Sequence, residues 1–107
     1  MSKRILVVED QNDDRQIIRD MLVGTGYAIT EAEDGEQALA AVAKERPDLI
    51  LMEIQLLSMD GYETMRRIRS DPAFLSIPII AVSSYAPREE QQKARAAGCN
   101  DLSLIHI

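Results

Sequence analysis

The sequence predicts an α/β fold, in which an open sheet of parallel strands carries helices on both faces. Short unbroken apolar runs, such as Ile5-Leu6-Val7-Val8, recur along the chain and are typical of strands buried on both sides. Stretches with apolar residues at helical spacing lie between them, and the connections are short. This alternation favours parallel strands joined by right-handed crossovers. No repeat or linker divides the 107 residues, so we expect one domain over 1–107.

The first strand is followed by a helix and a second strand. Apolar residues at helical spacing predict a helix over residues 13–23. Gly24 and Gly26 come directly after it and are typical of a helix end. Residues 27–32 alternate in polarity and contain β-branched side chains, so they predict the second strand.

A capping motif marks the start of the second helix. Asp34-Gly35-Glu36-Gln37 resembles a capping box, with Asp34 as the N-cap and Gln37 reaching back. The helix is expected to end before Arg46-Pro47. Residues 48–54 then contain the run Leu49-Ile50-Leu51-Met52, which predicts a third strand buried on both faces.

The second half of the chain repeats the same alternation. Gly61 begins a predicted third helix, whose arginines 66, 67 and 69 are expected to form a solvated face. Pro78 precedes the apolar run at residues 79–82, the predicted fourth strand. Pro87 and Gly98 are placed at the start and at the C-cap of a last helix. A fifth strand is predicted from the alternating apolar residues Leu102, Leu104 and Ile107.

Polar side chains follow the strands at one edge of the predicted sheet. Glu9 and Asp10 follow the first strand, Glu53 ends the third, and Ser83 and Ser84 end the fourth. Because parallel strands end at the same edge of a sheet, these carboxylates are expected to lie close together and to repel one another. A bound Mg²⁺ ion would relieve the repulsion. Such a site beside a carboxylate nucleophile suits phosphoryl transfer to a side chain. Taken singly, an acidic pair after a strand is more often a solvated loop or a helix cap, and a serine there is more often a turn residue than a catalytic one. The joint placement of these residues is what favours the site.

Composition excludes several functional classes. Twelve basic and eighteen acidic residues give a net charge of −6, which disfavours direct nucleic-acid binding. No apolar stretch is long enough to span a membrane, and the start lacks a signal-peptide pattern, so we expect a cytoplasmic protein. Cys99 is the only cysteine, which excludes a disulfide scaffold and leaves it as a small packed residue.

Several segments resemble the receiver domain of bacterial response regulators. They are ILVVED (5–10), PDLILMEIQL (47–56), MDGY (59–62), PIIAVSSYA (78–86) and AAGCND (96–101). The resemblance covers residues 3–101 and implies a flavodoxin-like sheet of strand order 2-1-3-4-5. It further implies a non-enzymatic signalling module of a two-component phosphorelay. The implied cofactor is Mg²⁺, and the implied partner is a histidine kinase or a histidine phosphotransfer protein.

The resemblance also assigns roles to single residues. Asp10 would be a direct Mg²⁺ ligand, with Glu9 as its partner, partly through water. Glu53 and the backbone carbonyl of Gln55 would be further ligands. Glu53 also stands at the phosphoacceptor position.

Two further residues are assigned to the conformational change that accompanies activation in this family. Ser83 would be the switch hydroxyl, and Tyr85 would lie on the face that changes on activation.

The chain departs from the family pattern at several positions. The family has aspartate at the position of Glu53 and usually proline at that of Leu57. It has an aromatic residue at the position of Leu102 and lysine at about that of Ile105. No fifth helix follows, and residues 102–107 resemble a non-native tail. The face that such a helix would cover is expected to favour self-association.

Glu53 leaves two roles open. Its carboxylate is one methylene longer than that of aspartate, so it either fills the metal site inertly or imitates the phosphorylated state in part. Three hypotheses describe the function. The first is a phosphorelay receiver, and the second is a receiver-like module that binds a partner without phosphorylation. The third hypothesis is an unrelated Mg²⁺-dependent phosphotransfer enzyme, and the sequence contains no second catalytic motif to support it.

Overall fold

The computed structural model describes residues 3–54, 61–83 and 87–104. Strands and helices alternate along the chain. In order, the elements are β1 (Arg4–Val8), α1 (Asn12–Leu22), β2 (Ala28–Ala32), α2 (Gly35–Lys44), β3 (Leu49–Glu53), α3 (Gly61–Arg69), a 3₁₀ helix (Pro72–Phe74), β4 (Ile79–Ser83), α4 (Arg88–Ala97) and β5 (Asp101–Leu104). No helix in these ranges is long and apolar enough to cross a membrane.

The five strands form one parallel sheet. Their order is β2-β1-β3-β4-β5, as predicted. The order reverses between β1 and β3, so the carboxyl ends of these two strands border the crevice where ligands of such sheets bind. The fifth strand is confirmed over Asp101–Leu104, whereas Ile107 lies outside the described residues.

The two faces of the sheet are covered unequally. Helices α2, α3 and α4 pack on one face, where the larger apolar cluster includes Val42, Met65 and Ala94. Helix α1 packs on the other face through Ile18, against a much smaller cluster. Helices on both faces agree with the predicted architecture, and four α-helices lie in the described ranges.

Strand β3 corrects one expectation. Its apolar run predicted burial on both faces, but only Ile50 and Met52 are fully buried. Leu49 and Leu51 are half-buried because they point to the face of α1, which is less completely covered. The strand therefore alternates in burial although its sequence does not alternate in polarity.

The predicted helix ends are formed by the expected residues. Asp34 is the N-cap of α2, and its carboxylate accepts a hydrogen bond from the backbone N–H of Gln37 at 2.8 Å. Gln37 reaches back to the N–H of Glu33 at 2.9 Å, one residue before the cap. Gly98 is the C-cap of α4 with φ +122°, a conformation that other residues rarely adopt.

Candidate functional site

The register of the sheet brings the predicted site residues to one edge. Val8 pairs with Met52, so Glu9 and Glu53 each follow a paired position at the carboxyl ends of β1 and β3. On the other side, Glu53 pairs with Val82, and Ser83 ends β4. The parallel arrangement therefore places Glu9, Glu53 and Ser83 at the same edge, as the sequence predicted.

Glu9 is the most deeply buried acidic residue of this edge, with 2% of its surface exposed. Its Oε1 accepts a hydrogen bond from the backbone N–H of Gln11 at 3.1 Å, whereas its Oε2 is buried and receives none. Burial raises the pKa of Glu9 to about 8, and a hydrogen bond that the protonated carboxyl shares with Glu53 acts in the same direction. The Gln11 N–H opposes this rise. The carboxyl therefore requires either a proton or a cation.

The remaining predicted side chains surround Glu9. The side chain of Asp10 contacts Glu9 and also raises its pKa. Asp10 and Glu53 are half-buried, and Ser83 is 4% exposed. The edge thus combines three carboxyls and a buried hydroxyl. Gln55 and Tyr85, the other two predicted site residues, lie outside the described residues.

The carboxyls fit a hard divalent cation by their chemistry. Mg²⁺ prefers oxygen ligands and is usually held by one or two carboxylates together with water. Glu9 Oε2 is a buried oxygen with no donor, so a cation there would satisfy it. Within the described ranges, however, no group of three or more acidic, histidine or cysteine side chains is arranged so that it could hold a metal ion.

Arg15 belongs to this site, although the sequence did not suggest it. Its guanidinium is largely buried and donates from Nη1 to the backbone carbonyl of Glu9 at 2.9 Å. Glu31 and Glu33, at the end of β2, supply its counter-charges. The available signal was an arginine in the first turn of a helix, where acidic residues are usual, together with one glutamate within the neighbouring strand and one directly after it.

Comparison with known proteins identifies relatives of one family. A model of the response regulator receiver domain matches residues 5–103. The polar-differentiation response regulator DivK of Brucella anthropi is 34% identical over 99 residues, which are 92% of this chain and 80% of that protein.

Solved structures agree with this match. Vibrio cholerae chemotaxis protein CheY4 superposes with a TM-score of 0.93 at 26% identity, over 100% of this chain and 89% of that one. The receiver domain of sensor histidine kinase PA1611 from Pseudomonas aeruginosa PAO1 superposes with a TM-score of 0.91 at 34% identity, over 100% of this chain and 88% of that one. The latter structure has a magnesium ion coordinated in its active site cleft.

Proposed function

The chain belongs to the response-regulator receiver family, and from this premise we propose that it is a phosphorelay receiver in which Glu53 replaces the phosphoacceptor aspartate. The register that pairs Val8 with Met52, and so places Glu9 beside Glu53, is the observation that carries the proposal. It joins the acidic residue after β1 to the carboxylate that ends β3, at the edge where such sheets bind ligands.

Mg²⁺ is the cofactor of the proposed site. Glu9, Asp10 and Glu53 would hold it, together with the backbone carbonyl of Gln55. When bound, the ion neutralises charge on the carboxylates and on an incoming phosphoryl group. Support comes from the buried Glu9 Oε2, which has no hydrogen-bond donor, and from the magnesium ion reported for the PA1611 receiver.

Glu53 is expected to disable phosphoryl uptake. Its carboxylate extends one methylene further than that of aspartate, toward the space that a phosphoryl group would enter. In-line transfer loses much of its rate when the reacting atoms are displaced by about 1 Å. Ser83 would be the switch hydroxyl at the end of β4, and Tyr85 would lie on the switch face.

The proposed partner is a histidine kinase or a histidine phosphotransfer protein. Receiver domains interact with these proteins in two-component signalling and are generally not enzymes. The net charge of −6 disfavours nucleic acid as a direct partner. A cytoplasmic location accompanies this role.

A second candidate function follows from Glu53. A receiver whose acceptor carboxylate cannot take a phosphoryl group would act as a phosphorylation-independent protein-binding module. The test of this candidate is partner affinity measured with and without a phosphodonor. Equal affinities support the binding module, whereas an increase caused by the phosphodonor contradicts it.

Intact-mass spectrometry with Mg²⁺ and acetyl phosphate tests the proposal. The proteins to compare are the chain as it stands, a Glu53→Asp variant, and Glu53→Gln as the control without a carboxylate. We expect a phosphoryl group on the Asp variant alone. A phosphoryl group on Glu53 of the unchanged chain would overturn the replacement hypothesis. Its absence from all three proteins would leave the binding module as the better candidate.

A further inference from the structure

Arg15 is a cation placed where helix electrostatics disfavour one. It lies in the first turn of α1, close to the positive end of the helix dipole. Its side chain is only 10% exposed, so solvent does little to stabilise its charge. A buried charge in this position needs specific partners, and the partners that it has indicate what it does.

The guanidinium uses all three of its nitrogens. Nε lies 3.3 Å from Glu31 Oε1, and Nη2 lies 3.6 Å from Glu33 Oε1 and also bonds to Asn12. These partners balance the positive charge of Arg15 and fix the plane of its guanidinium group. Nη1 is then directed to the carbonyl oxygen of Glu9, at 2.9 Å.

That carbonyl belongs to the peptide that joins Glu9 to Asp10. At the other end of the same residue, the backbone N–H of Glu9 donates a hydrogen bond to the carbonyl oxygen of Ala32 at 3.1 Å. The backbone of Glu9 is therefore held at both ends, by β2 and by Arg15. The orientation of the Glu9–Asp10 peptide decides where the carboxylates of Glu9 and Asp10 project. Loss of the Arg15 contact would therefore let these two carboxylates move out of their positions.

We propose that Arg15 is a positioning residue, whose guanidinium holds the Glu9–Asp10 peptide in the orientation that binds a divalent cation. The inference rests on the proposed Mg²⁺ site. It also makes a counterintuitive prediction. Removal of a positive charge beside an acidic site should tighten cation binding by Coulomb's law, whereas loss of a positioning contact should weaken it.

A charge-conserving substitution isolates the positioning effect. In Arg15→Lys the charge stays, but a single ammonium group cannot contact Glu9, Glu31 and Glu33 in the geometry of the planar fork. The matched control is Arg19→Lys, because Arg19 pairs with the same Glu31 at 2.6 Å from a more exposed position. The measurement is Mg²⁺ affinity by calorimetry, with folding checked by circular dichroism.

We expect Arg15→Lys to weaken Mg²⁺ binding about tenfold, as is usual when a residue that orients metal ligands is changed. Arg19→Lys should leave the affinity unchanged. Arg15→Gln, if folded, should also bind more weakly despite the more negative site. Equal or tighter binding by folded Arg15→Lys would overturn the proposal.

A metal-free measurement separates this inference from the proposed function. The amide of Gln11, which donates to Glu9 Oε1, reports on the order of the acidic turn through its hydrogen exchange. If the unchanged protein binds no Mg²⁺, the proposed metal site is wrong. Faster Gln11 exchange in Arg15→Lys but not in Arg19→Lys would still support the positioning role, and equal exchange would refute it.

Discussion

Arg69, the last residue of α3, donates a hydrogen bond from Nε to the backbone carbonyl of Gly98, the C-cap of α4, at 3.0 Å. Its Nη1 donates to the carbonyl of Phe74 in the 3₁₀ helix at 2.9 Å, and its Nη2 donates to Oδ1 of Asn100 at 2.8 Å. Asn100 Oδ1 also accepts from the N–H of Ile79, the first residue of β4. The Arg69 side chain thus joins the end of α3 to the end of the 3₁₀ helix, to the C-cap of α4 and, through Asn100, to the start of β4.

We expect Arg69→Gln to lower the free energy of unfolding by about 2–3 kcal/mol, because several hydrogen bonds from a charged group are lost at once. The control is Arg67→Gln on the same helix, whose arginine forms an exposed ion pair with Glu63 and should show no measurable change. Urea unfolding followed by circular dichroism measures both. Similar effects of the two substitutions would contradict the structural role of Arg69.

Gly61 is required by close backbone packing. A Cβ at this position would lie 2.2 Å from the carbonyl oxygen of Glu53 and 2.8 Å from the Cα of Ile54. Backbone atoms cannot avoid the added methyl group by changing rotamer, as a side chain can. We therefore expect Gly61→Ala to lower the free energy of unfolding by about 3 kcal/mol.

Gly24→Ala is the matched control for this substitution. Gly24 has φ +85° but no atom within 4 Å of an added Cβ, so only backbone strain of about 1 kcal/mol is expected. A smaller cost at Gly61 than at Gly24, in the same thermal or urea unfolding experiment, would refute the packing argument.

The sequence predicted the elements of the fold well because strand and helix patterns are local. The runs at Ile5–Val8 and Ile79–Val82, the cap at Asp34 and the C-cap at Gly98 all depend on neighbouring residues alone. The half-buried state of Leu51 depends instead on which helix covers that face of the sheet. A run of apolar residues cannot convey this, since it is decided by tertiary packing.

The site could be predicted in position but not in detail. Glu9, Glu53 and Ser83 follow strands, and parallel strands fix where their ends meet. Arg15 and Arg69 were missed as structural cations because both donate to backbone carbonyls, which every residue possesses. For Arg15 the only available signal was its place in the first turn of a helix and two nearby glutamates, and these do not identify the carbonyl that it contacts. Arg69 corrects the expectation that the whole basic run of α3 is a solvated face.

Cys99 should be nearly unreactive in the folded protein. It is 8% exposed, and burial raises the pKa of its thiol above the ordinary value of 9.0. The reactive thiolate is therefore scarcer at pH 8 than in a thiol with the ordinary pKa. We expect alkylation by iodoacetamide at pH 8 to be roughly tenfold or more slower than in urea-unfolded protein. As the chain has a single cysteine, mass spectrometry reports this site directly. Equal rates in the two states would show that Cys99 is accessible.

The sheet face beside α1 is expected to support self-association, which stays a prediction. A groove of about 190 Å³ on this face is lined by Ile18, Met21, Leu22, Leu51, Ile80, Val82 and Ser103. Met21 is 63% exposed at its border, so a second copy would bury apolar surface there. Light scattering after size-exclusion chromatography should give a mass that rises above 12.0 kDa with concentration.

Two glutamate substitutions locate the surface responsible. Met21→Glu should return the mass to that of the monomer, because a charge on the groove cannot be buried without a partner. Leu75→Glu is the control, since Leu75 is similarly exposed at 59% but does not line the groove. A constant monomer mass at high concentration would rule out self-association. An equal response to both substitutions would place it on another surface.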